Sequence, residues 1–290
     1  MINIPQDAAQ QLLDVSSSER LMPPYIPTFY WSNGNKQLKE SHPVLYFGGW
    51  KTDKETFDQI VAGFGKPYTT FEEFESISNE GASYDVYGAR HLFVMPLRWI
   101  KLWGVRNEEG RVRLSKKYTE GSRSDLRYLC MFAEKLGDDY VTWGPIILKA
   151  VGLQSQNLIN SLRSWKRYTE PARLQLTKEL RDNGQWGQSQ TIPEGWFWVP
   201  LGSFGKEPVF EKVGSGSNTS MITPIRTYTS NDPLSFETLQ TLYVGEDNIR
   251  AGSGAIEETR EWFEMWDNGE NNENVDQDHI ETPSEEEHPF

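Results

Sequence analysis

The sequence predicts an α+β protein with a strand-rich centre. Aromatic residues make up 13% of the chain, with 11 Trp, although its apolar fraction is only 37%. Large rings in place of aliphatic residues favour β-strands, and they also suit surfaces that stack planar ligands. Two further observations support this class: short β-branched and aromatic runs separated by turn signals, and a few stretches with helical spacing. A chain of 290 residues is long enough to bury a substantial core.

Four segments have the composition of strands. They are PVLYFGGW (43–50), HLFVMPLRWIKLWGV (91–105), WGPIILKAVG (143–152) and GWFWVPLGSF (195–204). A Gly-bearing turn at 107–110 separates the second run from RVRL, which predicts a β-hairpin. The segment GSGSNTSM (214–221) is expected to be a loop.

Three segments have apolar residues at helical spacing. In DLRYLCMFAEKL (125–136) they are Leu126, Leu129, Phe132, Ala133 and Leu136. In SQNLINSLRSWKRY (155–168), Ser155 is expected to cap a helix whose apolar face carries Leu158, Leu162 and Trp165. AIEETREWFEMW (255–266) predicts a last amphipathic helix, with Ile256, Thr259, Phe263 and Trp266 on one face and a Gly-rich linker, RAGSGA (250–255), before it.

We divide the chain into an N-terminal arm (1–27), a globular domain (28–266) and an acidic tail (267–290). The tail has too little apolar surface to offset chain entropy, so we expect it to be disordered. Cys130 lies in an apolar run and cannot form an internal disulfide, which favours a reducing compartment. Without a signal-like start or a window of about 18 apolar residues, the sequence predicts a cytoplasmic protein with no membrane partner.

The charge is unevenly distributed along the chain. The net charge is −13, yet residues 90–186 carry 18 Lys and Arg against 10 Asp and Glu, which gives +8. Residues 267–290 carry nine carboxylates and no Lys or Arg. The overall acidity would argue against a nucleic-acid partner, but the basic centre reverses that conclusion for the middle of the chain.

Motifs for catalysis and cofactors are absent from the sequence. Neither a Gly-rich phosphate loop nor a G-x-S-x-G motif occurs, and the four His have no Cys or His neighbours at zinc-ligand spacing. Asp138 and Asp139 could hold magnesium, although an acidic pair after a Gly is more often a solvated turn. We therefore expect no enzymatic activity, no metal and no cofactor.

A ring-rich basic segment, LRWIKLWGVRNEEGRVRLSKKY, is the strongest candidate binding site. Strand alternation places Trp99, Lys101, Trp103 and Val105 on one face, with Arg98, Ile100, Leu102 and Arg106 on the other. Two rings separated by an ammonium suit single-stranded nucleic acid, because bases stack on rings while cations neutralise phosphates. The expected binding residues are Arg98, Trp99, Lys101, Trp103, Arg106, Arg111, Arg113, Lys116, Lys117, Arg163, Trp165, Lys166 and Arg167.

The alternative interpretation of this segment is structural. Tryptophans on a half-buried strand belong more often to a core than to a ligand-binding surface, and clustered Lys and Arg can form the solvent-exposed face of a helix. If the binding interpretation holds, an antiparallel, OB-like barrel or curved sheet with flanking helices is the expected architecture, because such sheets offer a groove to single strands.

The chain ends in the sequence EEEHPF, in which an acidic run is followed by a terminal Pro-Phe. This ending resembles the C-terminal region of bacterial single-stranded DNA-binding proteins, in which an acidic linker ends in an acidic tip with Pro-Phe. The matching residues are Glu285, Glu286, Glu287, Pro289 and Phe290. The resemblance covers about 24 residues and implies that the tip binds replication, repair and recombination proteins, with the Phe ring in an apolar pocket and its carboxylate on an Arg.

Together these features predict a sequence-tolerant single-stranded DNA-binding protein, associated with the nucleoid, that protects single strands and recruits DNA-processing partners. A recombination mediator or strand-annealing protein that forms homo-oligomers is a second hypothesis. A nucleic-acid-processing enzyme and a protein-interaction domain with a solubilising tail are further alternatives.

Overall fold

The computed structural model describes residues 26–38, 42–64, 71–77, 83–106, 112–136, 139–187, 189–215, 218–227 and 234–267. Over these residues the chain has an α+β fold in which a strand-rich sheet curls into a half-barrel and carries a few helices. The expected class, α+β with a curved sheet, is confirmed at this level.

The strands in the described residues are β1 (Thr28–Ser32), β2 (Gly49–Asp53), β3 (Glu72–Ile77), β4 (Ser83–Ala89), β5 (His91–Arg106), β6 (Val112–Ser115), β7 (Arg123–Leu136), β8 (Asp139–Val151), β9 (Val199–Gly202), β10 (Glu211–Ser215), β11 (Asn218–Ile222) and β12 (Arg226–Thr227). The helices are α1 (Pro43–Phe47), α2 (Lys54–Phe64), α3 (Leu153–Asp182), α4 (Phe236–Thr241), α5 (Glu246–Glu258) and α6 (Arg260–Asp267). Two short 3₁₀ turns span Lys36–Leu38 and Glu194–Trp196.

Ten strands form one sheet in the order β12-β9-β5-β7-β8-β1-β2-β4-β3, with β6 added beside β5. Neighbouring strands are antiparallel except β1 and β8, which pair in parallel. β10 and β11 form a separate two-stranded hairpin. The long strands β5, β7 and β8 therefore lie side by side at the centre of the sheet.

The first face of the sheet, called the α3 face here, holds the main core. Phe29, Trp50, Leu126 and Leu148 point to this side and are fully buried. They pack with apolar residues of the two helices that cover this face, α2 and α3. The cross-strand pairs Leu126–Ala150 and Phe29–Leu148 keep these side chains on one side.

The opposite face, called the α6 face, is covered at two ends. At one end, Ile100, Leu102 and Leu129 form a cluster with two rings of α6, Trp262 and Phe263. At the other end, Val44 of α1 packs on Phe74 and Val86. The middle of this face, between the two clusters, carries charged side chains that are described below.

The predicted helix over 125–136 is wrong, because these residues belong to β7. Leu126 and Phe132 point to the α3 face, whereas Leu129 and Ala133 point to the other, and all four are buried. A central strand that is apolar on both faces has no polar alternation to reveal it. Its apolar residues therefore also satisfy helical spacing.

Three other expectations are corrected. PVLYF forms α1 instead of a strand, because Pro43 occupies the first helical turn and the His42 side chain accepts a hydrogen bond from the Val44 N–H at 3.2 Å. RAGSGA lies inside α5 instead of forming a linker. GSGSNTSM belongs to the β10–β11 hairpin instead of a loop, with residues 216 and 217 outside the described residues.

Several expectations are confirmed. β5, β8 and β9 lie in segments predicted to be strands, and the predicted hairpin joins β5 and β6, which pair from Trp103–Ser115 to Arg106–Val112. α3 forms with Leu158 and Trp165 buried, but its N-cap is Gly152, and Ser155 lies in its first turn. Residues 1–25 of the arm, the hairpin turn at 107–110 and residues 268–290 lie outside the described residues.

Candidate nucleic-acid interface

The surface of β5 carries alternating side chains, as the sequence predicts. Ile100 and Leu102 are buried on the α6 face, at 4% and 0% exposure. Trp99, the residue directly before Ile100, points to the α3 face and is 53% exposed. A tryptophan ring that is half open to solvent is not a core residue, so the structural alternative does not account for Trp99.

Two rings and an ammonium lie close together on this side. The Lys101 ammonium lies 4.5 Å from the centre of the Trp103 ring, within cation–π distance. Trp103 meets Tyr118 edge to face at 5.0 Å, and Tyr118 is 62% exposed. The Lys101 charge is thus held against a ring, at a position where a phosphate of a stacked strand could reach it.

A further ring extends the surface towards β7. Trp99 pairs directly with Tyr128, and their ring planes lie 22° apart with centres separated by 6.4 Å. Burial, the Cys130 thiol and the Glu194 carboxylate raise the pKa of the Tyr128 hydroxyl, so it stays protonated and can donate a hydrogen bond. We call the surface formed by Trp99, Lys101, Trp103, Arg113, Tyr118 and Tyr128 the Trp99 face.

β6 brings further cations to this edge. Arg113 pairs with Val105 and therefore points to the same side as Trp103. Lys116 and Lys117 follow in an exposed turn, where the Ser115 hydroxyl oxygen accepts a hydrogen bond from the Lys117 N–H at 3.0 Å. These three predicted residues lie beside the exposed rings, as the binding hypothesis requires.

α3 carries a second group of cations, one of which is linked to the Trp99 face. Arg163, Lys166 and Arg167 are exposed, and the Lys166 ammonium lies 3.5 Å from the Glu194 carboxylate. Glu194 begins the 3₁₀ turn that contacts β5, and its carboxylate is one cause of the Tyr128 pKa shift. Lys166 is therefore linked through Glu194 to the ring surface.

Three predicted binding residues lie elsewhere, and a fourth is outside the described residues. Trp165 is 2% exposed and packs in the core beneath α3, so it cannot stack a base in this conformation. Arg98 points to the α6 face, where its guanidinium lies 4.8 Å from the centre of the Phe263 ring. Arg106 also belongs to the side opposite Trp103 by alternation, and Arg111 lies outside the described residues.

Two binding candidates were missed by the sequence analysis. Tyr118 follows Lys116 and Lys117, so the ring next to two cations was a usable signal. Tyr128 could not be found, because its segment was assigned to a helix and its pairing with Trp99 depends on the register of β7.

The predicted tip residues Glu285, Glu286, Glu287, Pro289 and Phe290 lie outside the described residues, as does Asp138. Asp139 begins β8. Within the described residues, no helix is both long enough and apolar enough to span a lipid bilayer.

Comparison of the chain with protein-family models, with curated proteins and with solved structures finds no match. The function is therefore inferred from the geometry of the described side chains and from the sequence.

Proposed function

We propose that the protein binds single-stranded DNA with little sequence preference through the Trp99 face. The observation that carries this proposal is the placement of Trp99, Lys101, Trp103 and Tyr118 on one surface, with the Trp99 ring 53% exposed. Bases of any sequence have a face that stacks on an aromatic ring, and each stacked base contributes about 1 to 3 kcal/mol. Arg113 and the two lysines after β6 add phosphate contacts at the same edge.

The curved sheet supports this proposal through its shape. Sheets of OB-like barrels bind single strands by offering rings and cations from neighbouring strands to a groove. We propose that β5, β6 and β7 serve DNA in the same way.

Titration with a fluorescently labelled oligo-dT at several salt concentrations tests the proposal. The intrinsic tryptophan fluorescence should be quenched as Trp99 stacks, and the affinity should fall with rising salt as counterions are released. Trp99→Ala should weaken binding about 10-fold, because it removes one stacked ring. Absence of binding at low salt, or binding that is indifferent to salt, would refute the proposal.

Met221→Ala is the matched control for Trp99→Ala. Met221 is exposed to a similar extent, 56%, but lies on the separate β10–β11 hairpin. Its loss should leave oligo-dT binding unchanged.

We further propose that the C-terminal tip recruits DNA replication, repair and recombination proteins. The acidic run Glu285 to Glu287 and the terminal Pro289-Phe290 support this role, because a terminal ring and carboxylate suit a pocket lined by an Arg. Removal of residues 285–290 should preserve oligo-dT binding and abolish the capture of partners. An immobilised peptide of residues 281–290, compared with its Phe290→Ala version, isolates the contribution of the ring.

A further inference from the structure

A row of three cations crosses the middle of the α6 face. Arg127 on β7 pairs with Lys149 on β8, Lys149 pairs with Tyr30 on β1, and Tyr30 pairs with Lys51 on β2. Residues that pair across neighbouring strands point to the same side of a sheet, so the three charges share one face. We call Lys51, Arg127 and Lys149 the cationic row.

All three side chains are removed from solvent. Lys51 and Arg127 are 7% exposed, and Lys149 is 6% exposed. Lys and Arg are almost never buried unless they are paired, because the loss of hydration of a charge is costly. Their burial therefore requires compensation by nearby negative charge.

The described surroundings supply less negative charge than the row requires. Asp125 lies 3.1 Å from the Arg127 Nε and 3.4 Å from the Lys149 Nζ, so one carboxylate serves two cations. The Lys51 ammonium reaches the neutral hydroxyls of Ser76 at 3.2 Å and of Tyr84 at 3.5 Å and lies 5.8 Å from the centre of the Tyr84 ring. It takes part in none of the ion pairs of the described residues. Counted over the part of the chain that the structure describes, the row and Asp125 together have a net charge of +2.

One donor of the row also lacks an acceptor. The Arg127 Nη2 atom is buried and has no hydrogen-bond partner among the described residues. An unpaired guanidinium N–H inside a protein costs free energy unless a bound group accepts its hydrogen bond. Burial, and to a smaller extent repulsion from Arg127, lowers the pKa of Lys149 despite the attraction of Asp125.

The spacing of the row suits an anion with several oxygens. Neighbouring strands lie about 4.8 Å apart, so Arg127 and Lys149 are adjacent while Lys149 and Lys51 are about 10 Å apart at the backbone. Phosphate oxygens accept parallel hydrogen bonds from a guanidinium and charge-assisted bonds from ammonium groups. A carboxylate has two oxygens and one charge, whereas a phosphate or pyrophosphate can satisfy more than one member of the row.

We propose that the cationic row binds a phosphate-type anion, either free phosphate or a phosphodiester of a nucleic acid strand. The row lies on the face opposite the Trp99 face, so the proposal is independent of the function proposed above.

Pyrophosphate is the probe, with sodium chloride at matched ionic strength as the reference. Ligand binding to the folded state raises Tm, and at about ten times Kd we expect an increase of about 3 to 5 °C over the chloride reference. Lys51→Met and Lys149→Met should each weaken pyrophosphate binding at least about 10-fold in calorimetric titration, because each removes a charge-assisted hydrogen bond.

Lys54→Met is the matched control. Lys54 lies three residues after Lys51, but its side chain is 44% exposed, and its ammonium already pairs with the Glu73 carboxylate at 2.9 Å. This variant should keep the full Tm increase. Lys51→Met is the decisive variant if Lys149→Met does not fold. Lys51 contacts hydroxyls and makes no pair with Asp125, so its substitution leaves both ion pairs of Asp125 intact.

Two results would overturn the proposal: a Tm increase no larger than that in chloride, or an unchanged pyrophosphate affinity of Lys51→Met. Oligo-dT then separates the two sources of phosphate. If Lys51→Met also loses oligo-dT affinity and pyrophosphate displaces oligo-dT, the anion is a phosphodiester; if oligo-dT binding is unaffected, it is free phosphate. Trp99→Ala should leave the pyrophosphate response intact, so failure of the Trp99 face is distinguishable from failure of the row.

Discussion

Asp125 is the residue on which the charged middle of the α6 face depends most. It is 5% exposed, and its carboxylate contacts both Arg127 and Lys149. These two cations lower the pKa of the Asp125 carboxyl, although burial alone would raise it. The carboxylate therefore stays ionised and partly offsets two buried positive charges that would otherwise oppose folding.

Asp125→Asn should lower the free energy of unfolding by about 3 to 5 kcal/mol, because removal of one partner leaves two buried cations without a counter-charge. Urea unfolding followed by circular dichroism measures this change. Glu246→Gln is the control: Glu246 pairs with Arg250 at 3.5 Å with 78% of its side chain exposed, so its loss should cost about 0.5 kcal/mol or less. Equal effects of the two substitutions would contradict the role assigned to Asp125.

Single residues differ in how far the sequence predicts them. The exposure of Trp99 follows from strand alternation beside Ile100, which is a local pattern. The burial of Trp165 has a local signal too, since its spacing from Leu158 and Leu162 predicts the apolar face of α3. The cationic row has no local signal, because Lys51, Arg127 and Lys149 lie on three strands and meet only through the order and register of the sheet.

The distinct surroundings on the two sides of β5 and of α3 are visible in the sequence pattern of each element. β5 alternates between a covered and a partly open face, and α3 has one buried stripe, so each shows its own period. β7 is buried on both faces, and its pattern is ambiguous for that reason. The glycines of RAGSGA suggested a linker, whereas Gly252 serves close packing: a Cβ there would lie 2.7 Å from Leu97 and 2.9 Å from Met95.

Gly254→Ala tests the assignment of these glycines to α5. A Cβ at position 254 would meet no atom within 4 Å, and Ala is favoured over Gly in a helix by about 0.8 to 1 kcal/mol. We therefore expect a gain in unfolding free energy of that size in urea. Gly252→Ala, two residues earlier in the same helix, should gain less because it must displace Leu97 and Met95. A neutral Gly254→Ala would indicate a linker at this position.

On the scale of the whole molecule, not all basic residues of the positively charged central region are accessible to a ligand. Residues 90–186 have a net charge of +8, but Arg127, Lys149 and Arg173 are buried among them. Arg173 donates to the Ile192 carbonyl at 2.9 Å and lies 3.7 Å from Glu194, which is a structural role. The cations that a strand on the Trp99 face can reach are therefore fewer than the count along the chain, and the salt dependence of binding should reflect the smaller number.

The slope of log K against log salt concentration measures that number. For a single strand it is about −0.7 per phosphate neutralised, so about five contacts from Lys101, Arg113, Lys116, Lys117 and Lys166 predict a slope of about −3.5. The double variant Lys101→Gln with Arg113→Gln should reduce its magnitude by about 1.4.

The control for this slope must remove the same charge at a distance from the rings. Lys212→Gln with Arg250→Gln does so, since Lys212 lies on the β10–β11 hairpin and Arg250 on α5, and both are exposed. If net charge alone governed binding, both double variants would change the slope equally, and the Trp99 face would have no special role. A change confined to the Lys101 and Arg113 variant would locate the phosphates beside the exposed rings, because counterion release depends on which cations touch the strand.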